Sequence, residues 1–133
     1  MPDNSWDGMF RVLAHSTILC IDDEELALSL RKQVLESAGY VVFTATNAIQ
    51  GLEVFKANSI NLVITDHVLG PESGSDLVTE LRHLSSNLPI MVLSGDNTPH
   101  GAVDPPDYYL HKLEGPNEMI AKVRFAILLA GRK

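Results

Sequence analysis

Five short apolar runs, alternating with segments of helical periodicity, constrain the fold of this chain more than any other feature. The runs are rich in Val and Ile, which is typical of strands buried on both faces of a sheet. They occupy residues 18–21, 40–45, 62–65, 90–93 and 108–110. Apolar residues recur at helical spacing in the other segments, residues 24–38, 47–57, 74–84 and 116–130. Gly39 is predicted to end the first helix and Asn47 to cap the second.

The alternation of strands and helices predicts βαβ units, and therefore a parallel sheet with helices on both faces. Right-handed crossovers leave few arrangements of five strands. We predict an α/β, flavodoxin-like, doubly wound sheet with the strand order 2-1-3-4-5. In open sheets of this kind, binding sites lie outside the carboxyl ends of the strands.

Polar residues follow four of the predicted strands at that edge. Asp22 and Asp23 end the first strand, Asp66 ends the third, Ser94 ends the fourth and Lys112 follows the fifth. Clustered carboxylates repel one another, so they favour a bound cation, and carboxylate oxygens suit Mg²⁺. A hydroxyl and an ammonium beside them could hold the oxygens of a phosphoryl group carried by a carboxylate.

Each of these residues has a simpler interpretation when it is taken alone. Asp22 and Asp23 could cap the helix that follows them. Asp66 and Ser94 could be turn residues, and Lys112 could be a solvated surface lysine. Independent turn residues have no reason to supply acids, a hydroxyl and an amine at successive strand ends, so the joint pattern favours a site.

The same residues give the chain a resemblance to the response-regulator receiver family of two-component signalling, over about residues 16–130. The segments that carry the resemblance read ILCIDDEE at 18–25, LVITDHVLGPESG at 62–74, IMVLSG at 90–95 and YYLHK at 108–112. The resemblance implies that Asp66 is phosphorylated. It also implies that Asp23, Asp66 and the backbone carbonyl of Val68 bind Mg²⁺ directly, and that Asp22 binds it through water.

The resemblance assigns roles to three further residues. Ser94 would be the switch hydroxyl, Lys112 would pair with phosphate oxygens, and Tyr109 would be the aromatic residue that turns inward on activation. The phosphoryl donor would be a histidine kinase or a phosphotransfer protein, and a downstream protein would receive the signal. A core aromatic is the simpler interpretation of Tyr109.

Two departures from the family pattern concern the segment around Lys112. The family has a proline after this lysine, often with a cis bond, whereas this chain has Leu113. A cis bond before a non-proline residue costs about 2.5–4 kcal/mol, so we expect a trans bond or a rearranged loop. The stretch between Ser94 and Lys112 is short and contains three prolines, so we expect the fourth helix of the family to be shortened or lost.

Composition limits the remaining expectations. The net charge is -7, which argues against direct nucleic-acid binding, and no apolar run approaches the length of a membrane helix. We expect a cytoplasmic receiver domain at residues 16–133 after an N-terminal extension at residues 1–15. Trp6, Phe10 and Leu13 in that extension have the spacing of a short amphipathic helix. The apolar residues 125–130 predict exposed surface on the last helix, which a homodimer or the extension could cover.

Three classes of function fit these features. The first is a phosphorylated receiver that relays a signal by protein contact and catalyses only its own phosphorylation and dephosphorylation. The second is a receiver-like interaction module that is not phosphorylated. The third is a hydrolase with an aspartyl-phosphate intermediate, but such enzymes usually have an acid two residues after the nucleophile, where this chain has Val68.

Overall fold

The computed structural model describes residues 16–69, 72–95 and 106–131. Two expectations fall outside these residues. One is the amphipathic helix in the extension at residues 1–15. The other is the shortening or loss of the fourth helix in the stretch between Ser94 and Lys112, of which residues 96–105 are not described. The boundary between extension and domain stays a prediction for the same reason.

Five parallel strands form one sheet, in the order β2-β1-β3-β6-β7. Because the two strands between β3 and β6 form a separate small hairpin, this is the predicted order 2-1-3-4-5 of the main strands. Each predicted strand lies within one residue of its observed bounds. The strands are β1 (Thr17–Ile21), β2 (Val41–Ala45), β3 (Leu62–Asp66), β4 (Val68–Leu69), β5 (Glu72–Ser73), β6 (Ile90–Ser94) and β7 (Tyr108–His111).

The helices begin and end where the local sequence signals predict. They are α1 (Glu25–Ser37), α2 (Ala48–Ala57), α3 (Gly74–Leu84) and α4 (Pro116–Ala130). Gly39 follows α1 with a positive φ of 101°, a conformation that costs glycine little. The side chain of Asn47 caps α2, since its Oδ1 accepts a hydrogen bond of 2.8 Å from the backbone N–H of Gln50.

The core consists of two apolar layers, one on each face of the sheet. The side chains of β1 alternate between them: Ile18 and Cys20 pack under α1 and α4, while Leu19 and Ile21 pack under α2 and α3. All four are fully buried, which explains why the strand is apolar without alternation. Gly51 on α2 lets the helix approach the sheet closely, because a Cβ there would lie 2.6 Å from Cδ1 of Ile21.

Side-chain hydrogen bonds fix the start of β7 in the sheet. Asp107 Oδ2 accepts hydrogen bonds from the backbone N–H of Ile90 at 2.8 Å and from Arg82 of α3 at 2.7 Å. The strand then pairs in parallel with β6 from Tyr108 to His111. This anchoring sets the position of the residues that end β7 and begin the next loop.

The described helices include none that is long and apolar enough to cross a membrane. The last helix has the exposed apolar surface that the sequence predicts: Phe125 is 58% exposed and Leu129 is 45% exposed, whereas Ala126 and Ile127 are buried. The ring of Phe125 contacts that of Tyr108 edge to face, with centroids 6.3 Å apart.

Candidate functional site

Three carboxylates meet at the carboxyl end of the sheet. Asp22 directly follows β1, Asp23 is next to it, and Asp66 is the last residue of β3. One oxygen from each side chain lies within 4.8 Å of the others. Asp22 and Asp66 are buried and Asp23 is exposed, so the group is open to solvent on one side. The parallel pairing of β1 with β3 produces this convergence, as the sequence predicted.

The carboxylate of Asp22 is held by two hydrogen bonds. Its Oδ1 accepts a bond of 2.9 Å from the backbone N–H of Glu24, and its Oδ2 accepts one of 3.2 Å from the guanidinium of Arg31. Burial raises the pKa of Asp22 above its usual value of 3.8, and the nearby charge of Asp66 raises it further. The Glu24 and Arg31 contacts oppose this rise without cancelling it.

Asp66 contacts the ammonium group of Lys112. This lysine follows β7, which is separated from the strand of Asp66, β3, by β6. The Nζ atom of Lys112 lies 3.0 Å from Oδ1 and 3.1 Å from Oδ2 of Asp66. The backbone N–H of Lys112 donates to the carbonyl of Ser94, which continues the pairing of β6 and β7 by one residue. Strand pairing therefore brings Lys112 to Asp66 across 46 residues of sequence.

The structure places Ser94 on the strand next to Asp66, and Tyr109 on β7, three residues before Lys112. Asp66 pairs with Leu93 in the β3–β6 register, so Ser94 is one residue further along the neighbouring strand, and it is buried. Tyr109 lies in β7 and is 40% exposed, so it is not the core aromatic of the simpler interpretation. Val68 begins the β4–β5 hairpin, and its backbone N–H lies 3.4 Å from Oδ1 of Asp66.

Sequence reasoning missed Arg31 and the β4–β5 hairpin. Arg31 occupies a position on the inner side of α1, one turn after Ala27 and one turn before Val34. A charged residue among apolar positions was the available signal, because it needs a partner when it is partly buried. The two-residue strands of the hairpin are too short to produce a periodic pattern.

The residues present fit a hard divalent cation. All three candidate side chains offer carboxylate oxygens, which are the ligands that Mg²⁺ prefers. Arg31 and Lys112 neutralise part of this charge, but three carboxylates against two side-chain cations leave a formal charge of -1. The exposed side of the group leaves room for water and for a second molecule.

Comparisons with known proteins agree with this geometry. The family model for the response regulator receiver domain matches residues 18–124. Among curated proteins, the transcriptional regulatory protein YvrH of Bacillus subtilis is 31% identical over 117 residues, which cover 84% of this chain and 49% of that protein. The chain thus spans about half the length of this relative.

Solved structures show the same fold over nearly their whole length. A receiver domain protein from Clostridium thermocellum is 31% identical, with a TM-score of 0.73 over 85% of this chain and 94% of that one. The response regulator TrrA of Thermotoga maritima, in complex with Mg²⁺-BeF, is 27% identical, with a TM-score of 0.77 over 84% of this chain and 98% of that one. The chain therefore belongs to the response regulator receiver domain family of two-component signalling.

Proposed function

We propose that Asp66 of this receiver domain accepts a phosphoryl group from a histidine kinase or a phosphotransfer protein, with Mg²⁺, and that the domain relays the signal by protein contact. One observation carries the proposal: Asp66 belongs both to the group of three carboxylates and to the ion pair with Lys112. A cation on one side and an ammonium on the other are what a phosphoryl group on this carboxylate would need.

In the proposed reaction, a carboxylate oxygen of Asp66 forms a bond to phosphorus. The bond between phosphorus and the donor's imidazole nitrogen breaks at the same time, and the nitrogen keeps its electron pair. Lys112 would move from the carboxylate oxygens to the phosphoryl oxygens, a short shift because it lies 3.0 Å from Oδ1 at the start. The protein would contribute mainly positioning and charge neutralisation.

The cation would be held by Asp22, Asp23, Asp66 and the backbone carbonyl of Val68. Bound there, Mg²⁺ would neutralise charge on the phosphoryl oxygens during transfer. Two observations support this assignment: the carboxylate oxygens lie within 4.8 Å of one another, and a related receiver forms a complex with Mg²⁺-BeF. We infer that Asp22 acts through water, since Arg31 already occupies one of its oxygens.

Ser94 and Tyr109 are proposed to report the phosphorylated state. Ser94 ends the strand next to Asp66, within reach of a group that extends beyond the carboxylate. Tyr109 is 40% exposed here, so an inward turn on activation would change its environment measurably. Three further expectations stay predictions: a downstream protein partner, a cytoplasmic location and the lack of direct nucleic-acid binding.

The hydrolase alternative receives no support from the site. The residue two positions after Asp66 is Val68, an exposed aliphatic side chain that cannot act as a general acid. The interaction-module alternative differs from the proposal in one respect only, because it lacks phosphoryl transfer. One experiment therefore separates all three.

The test is to incubate the protein with acetyl phosphate or beryllofluoride and Mg²⁺. Intact mass and acid-labile phosphate are measured after acetyl phosphate, and amide NMR shifts after beryllofluoride. We expect one phosphoryl group per chain, lost in Asp66→Asn, and shifts at Ser94 and Tyr109. The matched control is Asp76→Asn, which changes an exposed aspartate on α3 and should leave phosphorylation unchanged.

Two results would contradict the proposal. Unchanged mass together with unchanged amide shifts would favour the unphosphorylated interaction module. Multiple turnover of a phosphate ester, faster than single phosphorylation of Asp66, would favour the hydrolase.

A further inference from the structure

The loop that carries Lys112 has little packing of its own. Leu113, which stands where the family has proline, is 87% exposed, and the Lys112–Leu113 bond is trans, as predicted. An exposed side chain contributes almost no apolar burial, so Leu113 cannot hold the loop in place. The backbone hydrogen bond from Lys112 to Ser94 anchors the start of the loop, so other contacts must fix the residues after it, next to the lysine that lies 3.0 Å from Asp66.

Two short-range hydrogen bonds shape the loop, and both use His111. The backbone N–H of Leu113 donates to Nδ1 of His111 at 3.0 Å, and the backbone N–H of Glu114 donates to the carbonyl of His111 at 3.0 Å. These bonds define a tight turn around Lys112. They connect the loop only to the end of β7, so they do not fix it relative to α4.

Lys122 supplies the connection to α4. Its Nζ atom donates to Oε1 of Glu114 at 2.7 Å and reaches the backbone carbonyl of Tyr109 at 3.4 Å. Tyr109 lies three residues before Lys112 and Glu114 two residues after it. One ammonium group on a rigid helix therefore holds the chain on both sides of Lys112.

The pair is more than a solvated surface contact. The side chain of Lys122 is 41% exposed but that of Glu114 only 26%, and the second oxygen of Glu114, Oε2, is buried with no hydrogen-bond partner among the described residues. A carboxylate with one buried, unpaired oxygen depends strongly on its remaining cation. Without Lys122, Glu114 would gain by turning toward solvent, and the loop would move with it.

We infer that Lys122 is a positioning residue that fixes Lys112 through Glu114. The inference rests on the proposed function, in which Lys112 binds the oxygens of the phosphoryl group. In this chain the Lys122–Glu114 pair does by ion pairing what a proline after Lys112 would do by restricting the backbone.

The test compares the ligand affinities of four variants with those of the unmodified protein. They are the variants Lys122→Met and Glu114→Gln, the exchanged pair Lys122→Glu with Glu114→Lys, and the control Lys56→Met, which removes an exposed lysine on the opposite side of the sheet. The dissociation constant of beryllofluoride at saturating Mg²⁺ is measured by NMR titration. That of Mg²⁺ alone is measured separately, because Lys112 is not one of its proposed ligands.

We expect Lys122→Met and Glu114→Gln to weaken beryllofluoride binding about two- to five-fold, the range for partly exposed ion pairs. Mg²⁺ affinity should stay the same or rise, since a displaced Lys112 competes less for Asp66. The exchanged pair should recover at least half of the lost affinity, and Lys56→Met should match the unmodified protein.

Three results would overturn the inference. One is unchanged beryllofluoride affinity in both single variants, and another is no recovery in the exchanged pair. The third is an equal loss of Mg²⁺ and beryllofluoride affinity, which would indicate general damage to the site. Failure of the unmodified protein to bind beryllofluoride would instead reject the proposed function, and the inference with it.

Discussion

Asp22 places a carboxyl group where a negative charge is disfavoured. It is only 2% exposed and faces Asp66, so burial and repulsion both raise the pKa of its carboxyl above 3.8. A site arranged for stability alone would place an apolar residue here. A carboxyl group at the buried position of Asp22 is explained if its negative charge is needed to hold a bound cation.

This charge predicts a pH dependence of stability in the metal-free protein. Because the folded-state pKa lies above the unfolded value of 3.8, the folded state binds the proton more tightly. The contribution of Asp22 to the free energy of unfolding therefore falls as pH rises from about 3.8 through the folded-state pKa. At pH values above the folded-state pKa, the buried Asp22 carboxylate destabilises the folded protein by its full amount.

The measurement is the difference in unfolding free energy between Asp22→Asn and the unmodified protein across that window, from urea unfolding. We expect the free energy of unfolding of the variant to rise relative to that of the unmodified protein as pH rises through that window. Asparagine has one side-chain oxygen, so it cannot accept from both Glu24 and Arg31 as Asp22 does. This loss shifts the stability difference by a nearly constant amount, so the readout is the slope of that difference against pH. A difference that stays flat or falls would contradict the assignment.

At the scale of elements, the cap of α2 makes a second prediction. Asn47 satisfies the N–H of Gln50, and Oε1 of Gln50 in turn accepts a bond of 2.7 Å from the backbone N–H of Thr46. Replacing Asn47 with alanine should lower the free energy of unfolding by about 1 kcal/mol, because it leaves a helix-end donor unsatisfied. Asn87→Ala, at an exposed residue of the turn before β6, should change it much less. Equal effects in chemical denaturation would argue against the cap.

The elements also show what the sequence could and could not predict. The five strands of the main sheet were predicted within one residue, and burial on both faces explains this for β1, β3 and β6, which are continuous apolar runs. The β4–β5 hairpin was not predicted. The convergence of Asp22, Asp66 and Lys112 followed from strand order alone. The contacts of Arg31 with Asp22 and of Lys122 with Glu114 join separate elements, and they depend on helix rotation, which periodicity does not determine.

At the scale of the whole molecule, a cation should stabilise the fold. Because the proposed site exists only in the folded state, Mg²⁺ at ten times its dissociation constant should raise the free energy of unfolding by about 1.4 kcal/mol. Asp23→Asn should lose most of this gain, and Asp76→Asn should keep it. The measurement is thermal unfolding with Mg²⁺ against NaCl of equal ionic strength. Equal stabilisation by both salts would count against a specific site.

The exposed surface of α4 needs a cover, and a homodimer is one hypothesis for it beside the extension at residues 1–15. Phe125 and Leu129 present an apolar face that a second copy of the chain could cover. If this homodimer hypothesis is correct, light scattering should show a dimer at high concentration, and Leu129→Asp should restore the monomer. A monomer at every concentration, with and without beryllofluoride, would exclude it.

The pairing of Arg31 with Asp22 has a consequence for the order of events at this site. Arg31 also lines a cavity of about 310 Å³ between α1 and α4 that includes Leu30, Lys112 and Met119. A cation held near Asp22 through water would draw on the same negative charge, and so weaken the hold of that carboxylate on the guanidinium, which already borders the cavity. A phosphoryl donor that docks beside α1 would then meet the guanidinium of Arg31 with less of its charge neutralised than in the metal-free protein. We therefore expect compulsory-order kinetics, in which the metal enters first and the donor second.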